Sequence, residues 1–187
     1  SCDSIAILPA EMSKERFDWL SKIAGEVIAT PGCESNVKEI FDKTWELRNT
    51  RDDVVIFNQF EEMGNCVWHY QVTGNAIAEA YESIKTPTSR FAGACFTSGS
   101  AGTMSAGDLL KEKYPYSKLA VGEALQCPTL LENGFGGHRI EGIGDKHVPW
   151  IHNVRNTDMV IDIDDEDSQN LLRLFNCEEG KKYLKEV

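Results

Sequence analysis

The sequence has no cluster of basic residues and no long apolar run. Lysine and arginine together number 19 against 30 aspartate and glutamate residues, which gives a formal net charge of -11. Such a chain repels a phosphate backbone, so we expect neither nucleic-acid nor anionic-membrane binding. No stretch approaches the ~20 apolar residues that span a bilayer, and the first residues lack the basic region of a signal peptide. Small-molecule or protein partners are therefore favoured.

Cysteine is present but never in a pattern typical of metal binding. The six cysteines stand at positions 2, 33, 66, 95, 127 and 177, without a C-x-x-C pair and without a histidine at metal-ligand spacing. We therefore predict no metal site and expect buried free thiols in a reducing cytoplasm. Cys95 falls in a predicted buried strand without an activating base, so it is not a candidate nucleophile.

Strand-like and helix-like segments alternate along the chain. Apolar runs predict strands at residues 4–8, 26–30, 54–57, 92–96, 118–123 and 159–163. Apolar residues at helical spacing predict the intervening helices, including one near residues 76–84, one reaching about Lys113 and one capped by Asp167 or Ser168. Each parallel crossover requires a helix, so this order predicts an α/β fold with parallel sheets.

The chain is interpreted as a piece of a longer protein, because it has no initiating methionine and opens within a few residues of a predicted strand. An irregular stretch is expected around Met63, Gly64 and Asn65. We place a boundary just before it, near residue 62.

The sharpest motif is a run of small residues at positions 98–103, between a predicted strand and a predicted helix. Glycines let successive backbone N–H groups converge, and the start of a helix adds unpaired donors and a positive dipole end, which suit a phosphate. The run has neither the Gly-Lys-Ser/Thr ending of a Walker loop nor the G-x-G-x-x-G order of a dinucleotide site. By itself it predicts either a phosphate-binding loop or simply a tight turn.

Several segments in collinear order resemble fold-type II pyridoxal-phosphate enzymes of the cysteine synthase kind. Residues 99–103 are similar to the G-T-G-G-T loop that holds the cofactor phosphate, and residues 138–144 to the H-K-I-x-G-I-G segment of the cofactor cleft. Residues 58–60 resemble Q-Q-F, and residues 8–13 resemble L-P-E-x-M-S. Thr73-Gly74 and residues 121–123 match further short segments.

The resemblance implies a fold, a cofactor and a set of site residues. The fold would be part of a tryptophan synthase β-like architecture of three-layer parallel sheets with flanking helices. Residues 1–62 would belong to a small mobile domain, and residues 63–187 to a large cofactor-binding domain. The cofactor would be pyridoxal 5'-phosphate, with its phosphate bound by Gly99, Ser100, Ala101, Gly102 and Thr103. Gly142 and Gly144 would pass close to the cofactor ring, and Gln59 would face the substrate or merely close a strand.

The sequence also departs from the family pattern. The family's Schiff-base lysine would precede Ser1, and none of the twelve lysines here stands in its context, so no catalytic residue is assigned and this chain alone is expected to be inactive. The group that bonds the pyridine nitrogen is not found near residues 178–183. Asp145, Lys146 and His147 replace small residues. His147 or Lys146 would handle a proton or a substrate carboxylate, or the triplet would simply form a solvated turn.

The sequence therefore predicts part of a pyridoxal-phosphate enzyme that acts on an amino acid by β-elimination or β-replacement. Two alternatives stay open. The first is related chemistry on the same scaffold, as in threonine synthase or the β subunit of a 2-amino-4-oxopentanoate thiolase. The second is a non-catalytic domain that binds a phosphorylated ligand or a partner chain. Because a partial sheet exposes apolar edges, we expect a homo-oligomer, either of this protein alone or together with a second subunit.

Overall fold

The first part of the chain forms a two-stranded parallel sheet with two helices. The computed structural model describes residues 2–33 and 36–187. Strand β1 (Ile5–Pro9) pairs in parallel with β2 (Glu26–Thr30), so that Ile7 lies opposite Ile28. Helix α1 (Lys14–Ile23) connects the two strands, and α2 (Val37–Thr50) follows β2 and packs against β1. Helix α1 is therefore the crossover that parallel pairing of β1 and β2 requires.

The second part contains a three-stranded parallel sheet in the order β3, β4, β5. The strands are β3 (Gly93–Thr97), β4 (Lys118–Ala124) and β5 (Met159–Ile163), with Thr97 opposite Gly122 and Glu123 opposite Asp162. Helix α5 (Gly102–Lys113) joins β3 to β4. A long connection with one 3-10 turn (Val154–Asn156) joins β4 to β5. The carboxyl ends of the strands therefore meet at one edge, beside the start of α5.

Helix α5 is the most deeply buried helix among the described residues. It packs against a continuous helical segment made of α3 (Met63–Trp68), one π turn (His69–Thr73) and α4 (Gly74–Ile84). Ala101, Met104, Val121 and Ile151 form a buried apolar cluster between this helix and the sheet. Helices α6 (Asp165–Asn176) and α7 (Glu178–Glu186) pack on each other after β5. The apolar cluster fixes the start of α5 relative to the carboxyl end of β4.

The predicted α/β fold with parallel sheets is confirmed, but three local predictions are wrong. Residues 54–57 are not described as a strand, and Val55 and Phe57 are 78% and 89% exposed. β-branched and aromatic residues favour a strand only where a neighbouring strand pairs with them. The stretch from Met63 is helical rather than irregular. Helix α6 begins at Asp165, because Asp164 caps it by accepting the Glu166 N–H.

The prediction of buried thiols is wrong for most of the cysteines. All six are free, but Cys127 alone is buried, and Cys95 is exposed. On β5, Met159, Ile161 and Ile163 are also exposed. The cause is the same in both places, since helix α5 packs on one face of the sheet and the described residues leave the other face open. Within residues 2–33 and 36–187, no helix is long and apolar enough to cross a membrane.

Candidate cofactor site

The predicted phosphate loop lies between the end of β3 and the start of α5. Ala101 immediately precedes the helix in a left-handed conformation, with φ 63° and ψ 12°. The Thr103 hydroxyl donates to the Thr97 carbonyl at 3.2 Å and so fastens the first turn of the helix to the strand. No side chain of the described residues caps this helix end. Its first backbone N–H groups and the positive end of its dipole are therefore available to an anion.

The structure brings the loop together with the second predicted glycine segment. A Cβ atom added to Gly99 would lie 3.0 Å from the Gly142 carbonyl oxygen, so the two backbones approach more closely than most side chains allow. Gly142 and Gly144 both have positive φ, at 90° and 83°. The Gly144 N–H donates to the Ser98 carbonyl at 3.2 Å. Glycine is favoured at position 99 because a side chain there would crowd the Gly142 carbonyl, and at positions 142 and 144 because the backbone has positive φ.

Two side chains that sequence reasoning did not assign to the site pack directly on Gly102. A Cβ atom there would lie 2.6 Å from Asn65 Oδ1 and 2.6 Å from His69 Cδ2. Asn65 donates to the Ser100 hydroxyl at 3.1 Å, and His69 Nδ1 lies 2.9 Å from the Thr73 hydroxyl. The contact between Asn65 and Ser100 spans 35 residues, so no local pattern in the sequence predicts it.

Gln59 approaches the loop through its backbone. Its carbonyl oxygen accepts from Asn65 Nδ2 at 3.0 Å, and Asn65 in turn bonds to Ser100. The residue itself is exposed. The structure therefore places Gln59 near the loop, with one residue between them, while its side chain does not line the cavity described next.

A small cavity of about 20 Å³ lies beside the loop at the carboxyl end of the strands. This volume holds about one water molecule. Ser98, Gly99, Ala101 and Gly144 line it from the two predicted segments. Four titratable residues are also part of the lining, namely Glu123, Asp145, His147 and His152. The Ser98 hydroxyl is buried and has no hydrogen-bond partner among residues 2–33 and 36–187. A buried hydroxyl without a partner is costly, so this donor is suited to a bound acceptor.

The carboxyl groups around the cavity are held by backbone amides. Glu123 accepts from the Leu130 and Leu131 N–H groups at 3.0 and 2.9 Å. Asp145 accepts from the His147 N–H at 3.3 Å, and His147 Nδ1 also lies 3.3 Å from the same oxygen. Burial raises the pKa of both carboxyl groups despite these bonds. Each carboxyl group is therefore easier to protonate than in water.

The three charged residues after Gly144 do not all lie at the cavity. Asp145 and His147 line the cavity, whereas Lys146 does not. Lys146 forms an ion pair of 3.4 Å with Glu39 of α2, and its ammonium group lies 4.4 Å from the centre of the Phe135 ring. His152 is buried, which lowers its pKa, and it bonds to the Thr157 hydroxyl at 3.0 Å. Of the two predicted candidates, His147 is therefore at the cavity and Lys146 is not.

The arrangement fits the phosphate end of pyridoxal phosphate. The uncapped start of α5, the unpartnered Ser98 hydroxyl and the close approach of Gly99 to Gly142 all lie at the same edge of the sheet. None of the described residues that line the cavity is a lysine. In the part of the chain that the structure describes, no group of three His, Cys, Asp or Glu side chains is arranged to hold a metal ion. The uncapped helix start and the Ser98 hydroxyl favour anion binding at this edge.

Comparison with known proteins identifies relatives over nearly the whole chain. The chain is 33% identical over 178 residues to a probable cysteine synthase of Bacillus subtilis and 29% identical over 178 residues to a cysteine synthase of Staphylococcus aureus. The alignments cover 95% of this chain, 56% of the first relative and 55% of the second. The chain thus spans about half the length of the curated relatives it matches. No protein-family model matches the chain.

Solved structures give the same result. A hydrogen sulfide-producing enzyme of Fusobacterium nucleatum matches with a TM-score of 0.82 at 26% identity, over 94% of this chain and 57% of that one. An O-acetylserine-dependent cystathionine β-synthase of Helicobacter pylori matches with a TM-score of 0.78 at 25% identity, over 90% of this chain and 53% of that one. The fold is that of about half of a fold-type II enzyme. Within this class, the resemblance to cysteine synthases is confirmed.

Proposed function

We propose that the protein containing this chain is a pyridoxal-phosphate enzyme that catalyses β-elimination or β-replacement on an amino acid. The observation that carries the proposal is the uncapped start of α5 beside the unpartnered Ser98 hydroxyl. It lies where the resemblance to cysteine synthases expects the phosphate of the cofactor. Enzymes of this kind use pyridoxal phosphate, which acts as an electron sink during the reaction.

In this proposal the described residues bind and orient the cofactor. The backbone N–H groups at residues 99–103 and the hydroxyls of Ser98 and Ser100 donate to the phosphate. The Thr103 hydroxyl turns from the Thr97 carbonyl, its acceptor in the described structure, to the phosphate when the cofactor binds. Gly142 has no side chain, so the backbone at this position lies close to the cofactor ring. Gln59 lies on the substrate side. The lysine that carries the cofactor is proposed to lie outside residues 1–187, because the chain spans only about half the length of its relatives.

The position of Asp145 and His147 supports a second candidate, in which the same scaffold acts on a different substrate. Both residues line the cavity, at positions where the cysteine synthase pattern has small residues. Larger polar side chains there would change which substrate fits. Chemistry like that of threonine synthase or of a 2-amino-4-oxopentanoate thiolase is the alternative, and a substrate panel distinguishes it from β-replacement.

The experiment uses the full-length protein. It is incubated with O-acetylserine and sulfide, and separately with cysteine alone, while cysteine and sulfide are measured. Removal of the hydroxyl in Thr103→Val is expected to weaken pyridoxal-phosphate binding about tenfold, because a hydrogen bond to a charged group is lost. Thr103→Ser should restore binding. Thr50→Val is the matched control, since Thr50 is exposed and bonds only to a carbonyl of α2.

Equal cofactor affinity in the Thr103→Val and Thr50→Val variants would contradict the role given to the loop. Normal cofactor binding without turnover of either substrate would instead point to the second candidate.

We also propose that the exposed apolar faces are covered in the assembled protein. Leu171, Leu172 and Phe175 of α6 are each more than half exposed, as is Met159 of β5. Exposed apolar area of this kind marks an interaction surface. A homo-oligomer of the full-length protein, located in the cytoplasm where free thiols persist, is the arrangement we favour. Light scattering at micromolar concentration tests it, and a monomer would contradict it.

A further inference from the structure

A second concave site lies at the opposite end of the three-stranded sheet from the phosphate loop. A groove of about 480 Å³ runs between the segment that precedes β3 and the segment that precedes β4. The phosphate loop, in contrast, follows the carboxyl end of β3. The volume is within the range of sites that bind small molecules. The groove is therefore separate from the proposed cofactor site, and its function does not depend on that proposal.

Aromatic rings form much of the groove wall. The ring centre of Tyr81 lies 5.2 Å from that of Phe91 and 5.5 Å from that of Tyr114, both edge to face. Phe91 and Tyr114 stack at 4.7 Å. Tyr116 is 80% exposed at the side of the groove, and the Arg90 guanidinium lies 5.8 Å from its ring centre. These rings offer a flat apolar surface to a ligand ring.

The groove is positively charged although the whole chain is acidic, with a net charge of -11. Its carboxylate, Glu82, is neutralised by an ion pair with Lys85 and accepts from the Tyr114 hydroxyl at 3.0 Å. Arg90 and Lys113 have neutral partners, namely the Tyr116 carbonyl at 3.4 Å and Asn75 Oδ1 at 2.7 Å. No carboxylate of the described residues lies within ion-pair distance of either cation. Among the described residues, two positive charges therefore face the groove without a carboxylate in direct ion-pair contact, although Lys113 is near enough to Glu82 to help lower the pKa of that carboxyl group.

A buried hydroxyl adds an independent sign of a ligand. Ser117 lines the groove and is only 2% exposed. Its Oγ atom has no hydrogen-bond partner in the described part of the chain, while its backbone N–H is already bonded to the Tyr114 carbonyl. Buried polar atoms are normally paired. A bound acceptor would supply the missing bond.

We propose that this groove binds a small aromatic anion, that is, a flat ring carrying a carboxylate or a phosphate monoester. The ring packs against the exposed tyrosine surface, and the anionic group pairs with Arg90 and Lys113. Arginine suits both anions because its planar guanidinium donates two parallel hydrogen bonds. The Ser117 hydroxyl donates a further bond.

Isothermal titration calorimetry of the full-length protein tests the proposal, with phenyl phosphate and benzoate as the probes. Arg90→Gln is expected to weaken binding of whichever probe binds by about tenfold, because a charge-assisted pair is lost. The matched control, Arg155→Gln, removes an exposed arginine outside the groove and should leave binding unchanged. Ser117→Ala should weaken binding about threefold. Raising the salt concentration should also weaken it.

The probes and variants separate the possible sources of binding. Phosphate specificity is shown if phenyl phosphate binds and benzoate does not, and a general anion site if both bind. The proposal is overturned if neither binds, or if neutral benzyl alcohol binds as tightly as the charged probes. It is also overturned if binding is lost in Thr103→Val and kept in Arg90→Gln, since the ligand would then occupy the glycine loop. Failure here leaves the cofactor proposal unaffected, because the two sites use different residues.

Discussion

A single methyl group added at Gly102 tests the packing at the start of α5. In Gly102→Ala, the new Cβ would lie 2.6 Å from both Asn65 Oδ1 and His69 Cδ2. Both neighbours are tethered, since Asn65 donates to the Gln59 carbonyl and the Ser100 hydroxyl, and His69 bonds to Thr73. Neither side chain can move without losing hydrogen bonds. We therefore expect the substitution to destabilise the fold.

The magnitude follows from two opposing terms. Overpacking of a tight contact costs about 1–3 kcal/mol, and each hydrogen bond lost adds about 1 kcal/mol. Replacing glycine by alanine in a helix stabilises the folded state by up to about 1 kcal/mol. The net loss is about 1–3 kcal/mol, which for a chain of this length lowers the melting temperature by ~2–12 °C.

The assay is thermal unfolding followed by circular dichroism. Gly64→Ala is the matched control, because it also lies in the first turn of a helix but has no described atom within 4 Å of the new Cβ. That variant should be unchanged or more stable by up to about 1 kcal/mol. Equal melting temperatures for the two variants would refute the close packing of Asn65 and His69 on the loop.

Three further predictions follow from other parts of the structure. Ala101→Val should destabilise the fold by at least ~2 kcal/mol, because a β-branched residue is strained at positive φ and this site is buried. Ala101→Gly should change the free energy of unfolding by no more than about 1 kcal/mol, and chemical denaturation of both variants checks this. Hydrogen bonds from Lys111 and the Leu119 N–H hold the pKa of Asp158 well below its usual range, so its stabilisation is present above about pH 4 and is lost as the pH falls through the folded pKa. The stability gap between wild type and Asp158→Asn should therefore shrink below about pH 4, and a gap that is constant with pH would contradict the pairing. Finally, Glu141→Ala should speed hydrogen exchange of the Ser13 amide several-fold, since that amide donates to Glu141 at 2.7 Å, while Glu15→Ala should not.

Much of the fold follows from local pattern. Strands β1 to β5 stand within about a residue of where the short apolar runs predicted them, because parallel strands buried by helices need such runs. The segment at residues 54–57 has the same composition and is not a strand. Composition cannot report whether a partner strand is present, and pairing decides whether a short apolar run becomes part of a sheet.

In the candidate site, too, local features could be predicted from the sequence and contacts between distant segments could not. The glycine loop was predicted from its place between a strand and a helix, and the structure sets it at the start of α5. The parts contributed by Asn65 and the Ser98 hydroxyl depend on contacts between distant segments. Ala101 departs from the family glycine, yet it keeps the left-handed turn, because its methyl group packs in the buried cluster with Met104 and Val121.

The central claim is that the glycine loop anchors pyridoxal phosphate in a longer enzyme that supplies the lysine. The most direct test is borohydride reduction of the full-length protein, followed by intact mass measurement and peptide mapping. We expect one cofactor per chain, attached to a lysine outside residues 1–187, with less cofactor trapped in Thr103→Val at limiting cofactor concentration. No trapped cofactor, or attachment to one of the twelve lysines within these residues, would contradict it.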